Sequence, residues 1–100
     1  MIDVKALLTK ILGALKMGSL TSVTLPYTAT SDGLLVESHR TNGGGNSYVQ
    51  LKIGSDYYIG QAYSGWVESH VWPVHKGDTI TLAAQNSATD ISYKFIKWGG

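Results

Sequence analysis

The sequence contains no cysteine, which excludes disulfide scaffolds, thiolate metal sites and cysteine nucleophiles. Charge is also sparse, because eight lysines and arginines oppose seven acids and leave a formal net charge of +1 at pH 7. A chain without a basic field is not expected to bind nucleic acid or an acidic membrane. No apolar run approaches the roughly 20 residues that span a bilayer, and residues 1–5 lack the order of a signal peptide. We therefore expect a soluble, unprocessed chain.

The residues before Ser19 have the spacing of an amphipathic helix, with Asp3 as a suitable N-cap and Gly18 as a stop. Alternating three- and four-residue steps, typical of a coiled-coil seam, connect Met1, Val4, Leu8, Ile11 and Leu15. Leu7 and Leu12 widen this stripe beyond what a two-stranded coil covers. Residues 1–18 are therefore predicted to be an oligomerisation helix, which either joins three or more copies or lies on its own domain.

Beyond Ser19 the chain is rich in Thr, Ser, Val and Tyr, in short runs separated by turn residues. Strands are predicted near residues 20–25, 33–40, 48–53, 57–63, 67–72, 78–84 and 91–98. Their spacing of about ten residues is typical of a β-sandwich. We predict an all-β fold in which residues 19–100 form one antiparallel, jelly-roll-like sandwich as a head domain.

The last predicted strand is apolar on both faces. Tyr93 and Phe95 lie on one face, while Ile96 and Trp98 lie on the other. A single two-layer domain can enclose only one of them, so the second face predicts a surface that contacts another copy. We expect Tyr93 and Phe95 at this interface, because tyrosine can bury its ring and still form hydrogen bonds.

Two segments carry a resemblance to a known family. They read Pro26-Tyr-Thr-Ala-Thr-Ser-Asp-Gly33 and Trp72-Pro-Val-His-Lys-Gly-Asp-Thr-Ile-Thr-Leu82. This pattern resembles the small jelly rolls of the complement and tumour-necrosis-factor type at the tips of bacteriophage tail fibres and related prophage proteins. The opening residues 1–12 likewise look like the start of minor structural proteins from phages of gut Firmicutes. The resemblance implies a homotrimer in the virion tail that serves architecture or adhesion to a glycan or protein receptor.

Few residues form a pattern that indicates catalysis. His39, His70 and His75 include no pair of histidines at a one-, three- or four-residue metal spacing, so no metal or cofactor is predicted. In a trimer, however, one histidine near the three-fold axis is present three times, which is enough to hold a metal or an anion. Glu68 and His70 share a strand face, but an acid and a histidine alone are not a catalytic unit. We expect a protein that is not an enzyme.

The aromatic residues favour an alternative function. Tyrosine and tryptophan suit both subunit interfaces and sugar-stacking platforms. Candidate ligand-binding residues are Trp66, Tyr57 and Tyr58, with Asn42 and Asn46 in the glycine-rich loop. The alternative is therefore a monomeric carbohydrate-binding module that uses exposed Trp and Tyr side chains.

Overall fold

A computed structural model describes residues 18–43, 45–63 and 66–98, and these residues form an all-β fold. The strands are β1 (Leu20–Ser22), β2 (Tyr27–Thr28), β3 (Gly33–Thr41), β4 (Asn46–Ile53), β5 (Asp56–Tyr63), β6 (Val67–Val74), β7 (Thr79–Asn86) and β8 (Ala88–Lys97). The described ranges contain no helix with the length and apolarity needed to cross a membrane. The predicted N-terminal helix, with Val4, Leu8, Ile11 and Leu15, lies outside the described residues apart from Gly18.

The strands form two antiparallel four-stranded sheets. The first sheet has the order β1-β8-β3-β6 and the second has the order β2-β7-β4-β5. Only β4 and β5 are consecutive strands that pair directly, and a turn with Gly54 at a φ of 62° joins them. Every other connection crosses from one sheet to the other, so each sheet is built from distant parts of the chain. The prediction of an antiparallel sandwich is confirmed.

Side-chain alternation places one face of each sheet in a shared interior. Along β3, every second residue from Gly33 to Thr41 is buried. The apolar part of the interior consists of Ala29, Leu35, Val49, Leu51, Ile53, Val74, Ile80 and Phe95. Full burial of one such leucine or phenylalanine stabilises the fold by about 1.5–3 kcal/mol, so this cluster holds the two sheets together.

Strand β1 ends at Ser22 instead of residue 25, and further differences from the prediction concern β2 and the start of β8. The short strand β2 was not predicted, because two residues are too few to display a period. The last strand begins at Ala88, and Ser87 alone, at a φ of 53°, turns the chain. Asp90 also has a φ of 53°. The β3–β8 register shifts at this position, and Arg40 Nε contacts Asp90 Oδ2 at 2.7 Å. The segment between the predicted strands 78–84 and 91–98 is thus a tight turn at Ser87 followed by a bulge at Asp90.

The expected assignment of the two faces of β8 was wrong. Phe95 pairs in register with Leu35 and is only 5% exposed, inside the core, and its ring centroid lies 5.4 Å from that of Tyr27. Tyr93 packs half-buried on the same inner face. Ile96 lies on the outer face, and Trp98, beyond the strand, is 38% exposed. Period-two alternation separates the two faces, but the pairing with β3 decides which one turns inward.

Candidate functional site

The end of the interior opposite the apolar core contains a buried cluster of ionisable side chains. Alternation along β3 directs Glu37 and His39 into the interior, and β6 contributes His70 from the neighbouring strand. Glu37 Oε2 lies 2.7 Å from His39 Nδ1, and Glu37 Oε1 lies 3.2 Å from His70 Nδ1. One carboxylate therefore binds both imidazoles.

The hydrogen bonds of His70 determine where a proton must lie. Its Nε2 donates to the backbone carbonyl of Gln61 at 3.0 Å, because a carbonyl oxygen can only accept. Its Nδ1 then either donates to an ionised Glu37 or accepts from a protonated one.

His39 is fully buried and is incompletely satisfied. Its Nδ1 contacts Glu37, while its Nε2 has no hydrogen-bond partner. Within residues 18–43, 45–63 and 66–98, this nitrogen is the one buried side-chain polar atom in that condition. Buried polar groups are nearly always paired, so an orphan imidazole nitrogen indicates a site that can accept a ligand.

Gly60 of β5 provides the space for the cluster. A Cβ at this position would lie 2.5 Å from His70 Nδ1 and 2.6 Å from Glu37 Oε1, closer than real Cβ contacts. The second sheet thus approaches the cluster with bare backbone, since only glycine fits there. Beyond it, Thr41 Oγ1 donates to the Ala62 carbonyl at 3.1 Å and lies 3.0 Å from Ser47 Oγ.

The cluster reaches solvent through a cleft between the edge strands β5 and β6. This cleft has a volume of about 470 Å³ and is lined by Ile59, Gln61, Tyr63, Glu68 and His70. His70 is 21% exposed there, while Glu37 and His39 are closed off behind it. The predicted proximity of Glu68 and His70 on one strand face is confirmed, because both line this cleft.

Tyr93 lies against the cluster from β8, where it pairs in register with Glu37. Burial raises the pKa of the Tyr93 phenol above its ordinary value of 10.0, and the nearby Glu37 carboxylate raises it further. Both causes oppose a second negative charge in this part of the interior. Tyr93 therefore belongs to the lining of the polar cluster and not to an outer interface.

The outer face of the first sheet forms a second candidate surface. One cross-strand row on this face consists of Leu20, Ile96, Leu34 and Pro73, four apolar side chains on four neighbouring strands. The next row adds Val36 and the exposed Val71, together with the exposed Lys94 on β8 and Ser22 on β1. Beyond it the face becomes polar at Ser38 and Ser69, whose hydroxyls lie 2.6 Å apart. The apolar area thus consists of the first row and of Val36 and Val71 on β3 and β6.

The candidate ligand-binding residues do not converge on one site. Asn42, Asn46 and Trp66 lie at one end of the sandwich, because the β3–β4 and β5–β6 connections meet there. Tyr57 is exposed near the opposite end, where Lys52 Nζ lies 5.7 Å from its ring centroid. Tyr58 faces inward with its ring centroid 5.8 Å from that of Trp72, so Tyr57 and Tyr58 do not share one face on which a sugar could stack.

The sequence reasoning missed the Glu37–His39–His70 cluster. A partial signal existed, since Glu37 and His39 are two residues apart on a predicted strand and must share a face. The third member, however, is separated from Glu37 by 33 positions and is placed only by the β3–β6 pairing. One potential metal-ligand atom from each of the three residues lies within 4.8 Å of the other two.

The described hydrogen bonds do not form an activated nucleophile at this cluster. In the part of the chain that the structure describes, the two imidazoles bind the Glu37 carboxylate and the Gln61 carbonyl, and neither binds a hydroxyl. The chemistry that the arrangement does support is the binding of protons or of a cation. Comparisons of the chain with protein-family models, with curated proteins and with solved structures find no match.

Proposed function

We propose that the chain is a non-enzymatic, self-associating structural or receptor-binding domain of the kind found in bacteriophage tails and related prophage particles, and that it works as a homotrimer. The observation that carries this proposal is the apolar outer face of the first sheet. A contiguous exposed apolar area is typical of an interaction site.

The occupant of this face is a second and a third copy of the same chain. The predicted coiled-coil seam ends immediately before β1, the edge strand of this sheet. Gly18 N donates to the Lys97 carbonyl at 2.7 Å, which attaches the end of the seam segment to β8. The predicted seam therefore leads directly into the sheet that carries the apolar face. A helix this short is not expected to associate alone, so the proposed trimer also needs contacts from the sandwich.

The strand order supports the jelly-roll part of the proposal. Eight strands wound as two Greek keys are typical of jelly rolls, which occur in viral structural proteins and in lectins. The orders β1-β8-β3-β6 and β2-β7-β4-β5 fit that winding. This agreement favours the resemblance to fibre-tip domains drawn from residues 26–33 and 72–82.

Light scattering coupled to size-exclusion chromatography tests the proposal. The wild-type chain at micromolar concentration should have three times the mass of one chain. Val71→Glu and Ile96→Glu should reduce that mass to one chain without loss of the β-sheet circular dichroism spectrum. Ile59→Glu, an exposed isoleucine on the outer face of the second sheet, is the matched control and should remain trimeric. A monomeric wild-type chain would refute self-association.

One observation favours glycan binding as a second candidate function. Trp66 is 70% exposed beside the exposed Tyr63, and Trp66 N donates to the Tyr63 carbonyl at 3.1 Å. Two exposed rings at one end of the sandwich suit stacking on sugar faces. A glycan array should then show a saccharide whose binding is lost in Trp66→Ala and retained in Tyr57→Ala. An array without any bound saccharide would remove this candidate.

A further inference from the structure

We propose that Glu37, His39 and His70 form a binding site for one zinc ion inside each sandwich. The cluster lies within a single chain, so this inference is independent of self-association. Imidazole nitrogen and carboxylate oxygen are ligands that Zn²⁺ prefers, whereas Mg²⁺ and Ca²⁺ prefer oxygen alone.

The geometry of the three side chains fits a compact coordination sphere. Zinc binds these ligands at about 2.0–2.2 Å in a tetrahedron, which places ligand atoms about 3.3 Å apart. Glu37 Oε2 already lies 2.7 Å from His39 Nδ1, and Glu37 Oε1 lies 3.2 Å from His70 Nδ1. Since all three candidate atoms lie within 4.8 Å of one another, a small movement of the partly exposed His70 ring completes the approach.

His70 has the outer contact that metal-binding histidines usually make. Such a histidine commonly donates its other ring N–H to a backbone carbonyl or a carboxylate, which orients the ring and selects the tautomer. His70 Nε2 donates in this way to the Gln61 carbonyl at 3.0 Å, which leaves Nδ1 toward the cluster. An ion binds these ligands in their deprotonated form, so any proton held at the ligand atoms leaves to solvent.

His39 provides a second observation, because one of its ring nitrogens lies beside Glu37 and the other has no partner, so either nitrogen is available to an ion. Its Nε2 is buried and unpaired, although the side chain is fully enclosed. The cleft between β5 and β6, which is lined by His70, provides a path of entry for an ion.

Charge also favours a divalent cation at this position. Glu68 pairs in register with His39 on β6 and lines the mouth of the same cleft. Together with Glu37 it supplies two carboxylates, which balance the charge of one Zn²⁺ beside two neutral imidazoles. Burial of a divalent ion requires such compensation.

Isothermal titration of the metal-free full chain with Zn²⁺ tests the site. We expect one ion per chain, and a binding constant at least tenfold weaker in His70→Ala. His75→Ala is the matched control, since this histidine is 84% exposed outside the cluster, and it should bind like the wild type. Titration with Mg²⁺ should show no binding.

A second readout does not depend on any variant. Co²⁺ substituted for zinc should give the intense visible absorption of a four-coordinate ion, and saturating Zn²⁺ should raise the thermal midpoint by about 10 °C. Absence of zinc binding by the wild-type chain would overturn the proposal. Zinc binding that is lost in His75→Ala but kept in His70→Ala would overturn it equally.

Discussion

Gly60 is the point at which the second sheet comes closest to the buried Glu37 and His70. In an ordinary strand, replacing glycine with alanine stabilises a protein by about 0.4–1 kcal/mol through the unfolded state. Here the new methyl group would overlap atoms of both side chains, so Gly60→Ala should lower the free energy of unfolding by about 1–3 kcal/mol. Urea denaturation measures this change.

The neighbouring substitution Gln61→Ala is the control for this prediction, because the Gln61 side chain is exposed on the opposite strand face. It should change the free energy of unfolding by less than about 0.5 kcal/mol. A Gly60→Ala variant as stable as the wild type would contradict the close approach of the two sheets at this point.

The raised pKa of Tyr93 predicts that the free energy of unfolding depends on pH in the alkaline range. Because its folded-state pKa is raised above 10.0, the folded chain keeps the phenolic proton at pH values where the unfolded chain has lost it. Stability from this group is complete below pH 10 and is lost as the pH rises through the raised pKa, since the folded state then binds more protons. Urea denaturation at increasing pH should show a smaller alkaline loss in Tyr93→Phe than in the wild type.

Glu37→Gln tests the cause of the Tyr93 shift. Without the carboxylate charge, the pKa of Tyr93 should move down toward its ordinary value, while the larger contribution from burial remains. Ultraviolet titration of the wild-type chain, of Glu37→Gln and of Tyr93→Phe isolates the transition of this phenol. Alkaline stability profiles that are parallel in the wild type and Tyr93→Phe would contradict the assignment.

At the scale of the element, β8 connects the interior with the outer apolar face of the first sheet. Phe95 lies in the core, so Phe95→Glu should unfold the domain. Truncation of a buried phenylalanine alone costs about 3–5 kcal/mol, against a total stability of about 5–15 kcal/mol, and an unpaired buried charge adds to that cost. Thermal unfolding followed by circular dichroism should show no cooperative transition.

Trp98→Glu is the counterpart of this substitution at the end of the same strand. Trp98 follows β8 and is partly exposed, so the variant should remain folded with a cooperative transition. A folded Phe95→Glu chain together with an unfolded Trp98→Glu chain would restore the expected assignment, in which Tyr93 and Phe95 lie at an interface between copies.

At the scale of the whole molecule, the sandwich contains its own core. The apolar cluster and its surrounding side chains all come from residues between Val23 and Phe95. Deletion of residues 1–17 should therefore leave a domain that unfolds cooperatively in urea, with weaker self-association in light scattering. Loss of the cooperative transition would show instead that the N-terminal segment completes the core.

The sequence by itself determined the fold class and most of the strands. Alternation within residues 48–53 and the turn residues at positions 54–56 are local signals, since a period of two and a preference for positive φ depend on adjacent residues only. They indicated β4, β5 and the turn between them, and the same reasoning indicated β3, β6 and β7. The cluster of Glu37 with His70 had no such signal.

The tertiary structure alone decided which faces turn inward and which distant residues meet. Period-two alternation implies that Phe95 and Ile96 lie on opposite faces of β8. Only the pairing of β8 with β3, in which Phe95 lies opposite Leu35, places Phe95 in the core. Likewise, only the pairing of β3 with β6 brings His70 to Glu37. The physical reason is that register and sheet order are set by the packing of the whole interior, where residues far apart in the chain exclude water together.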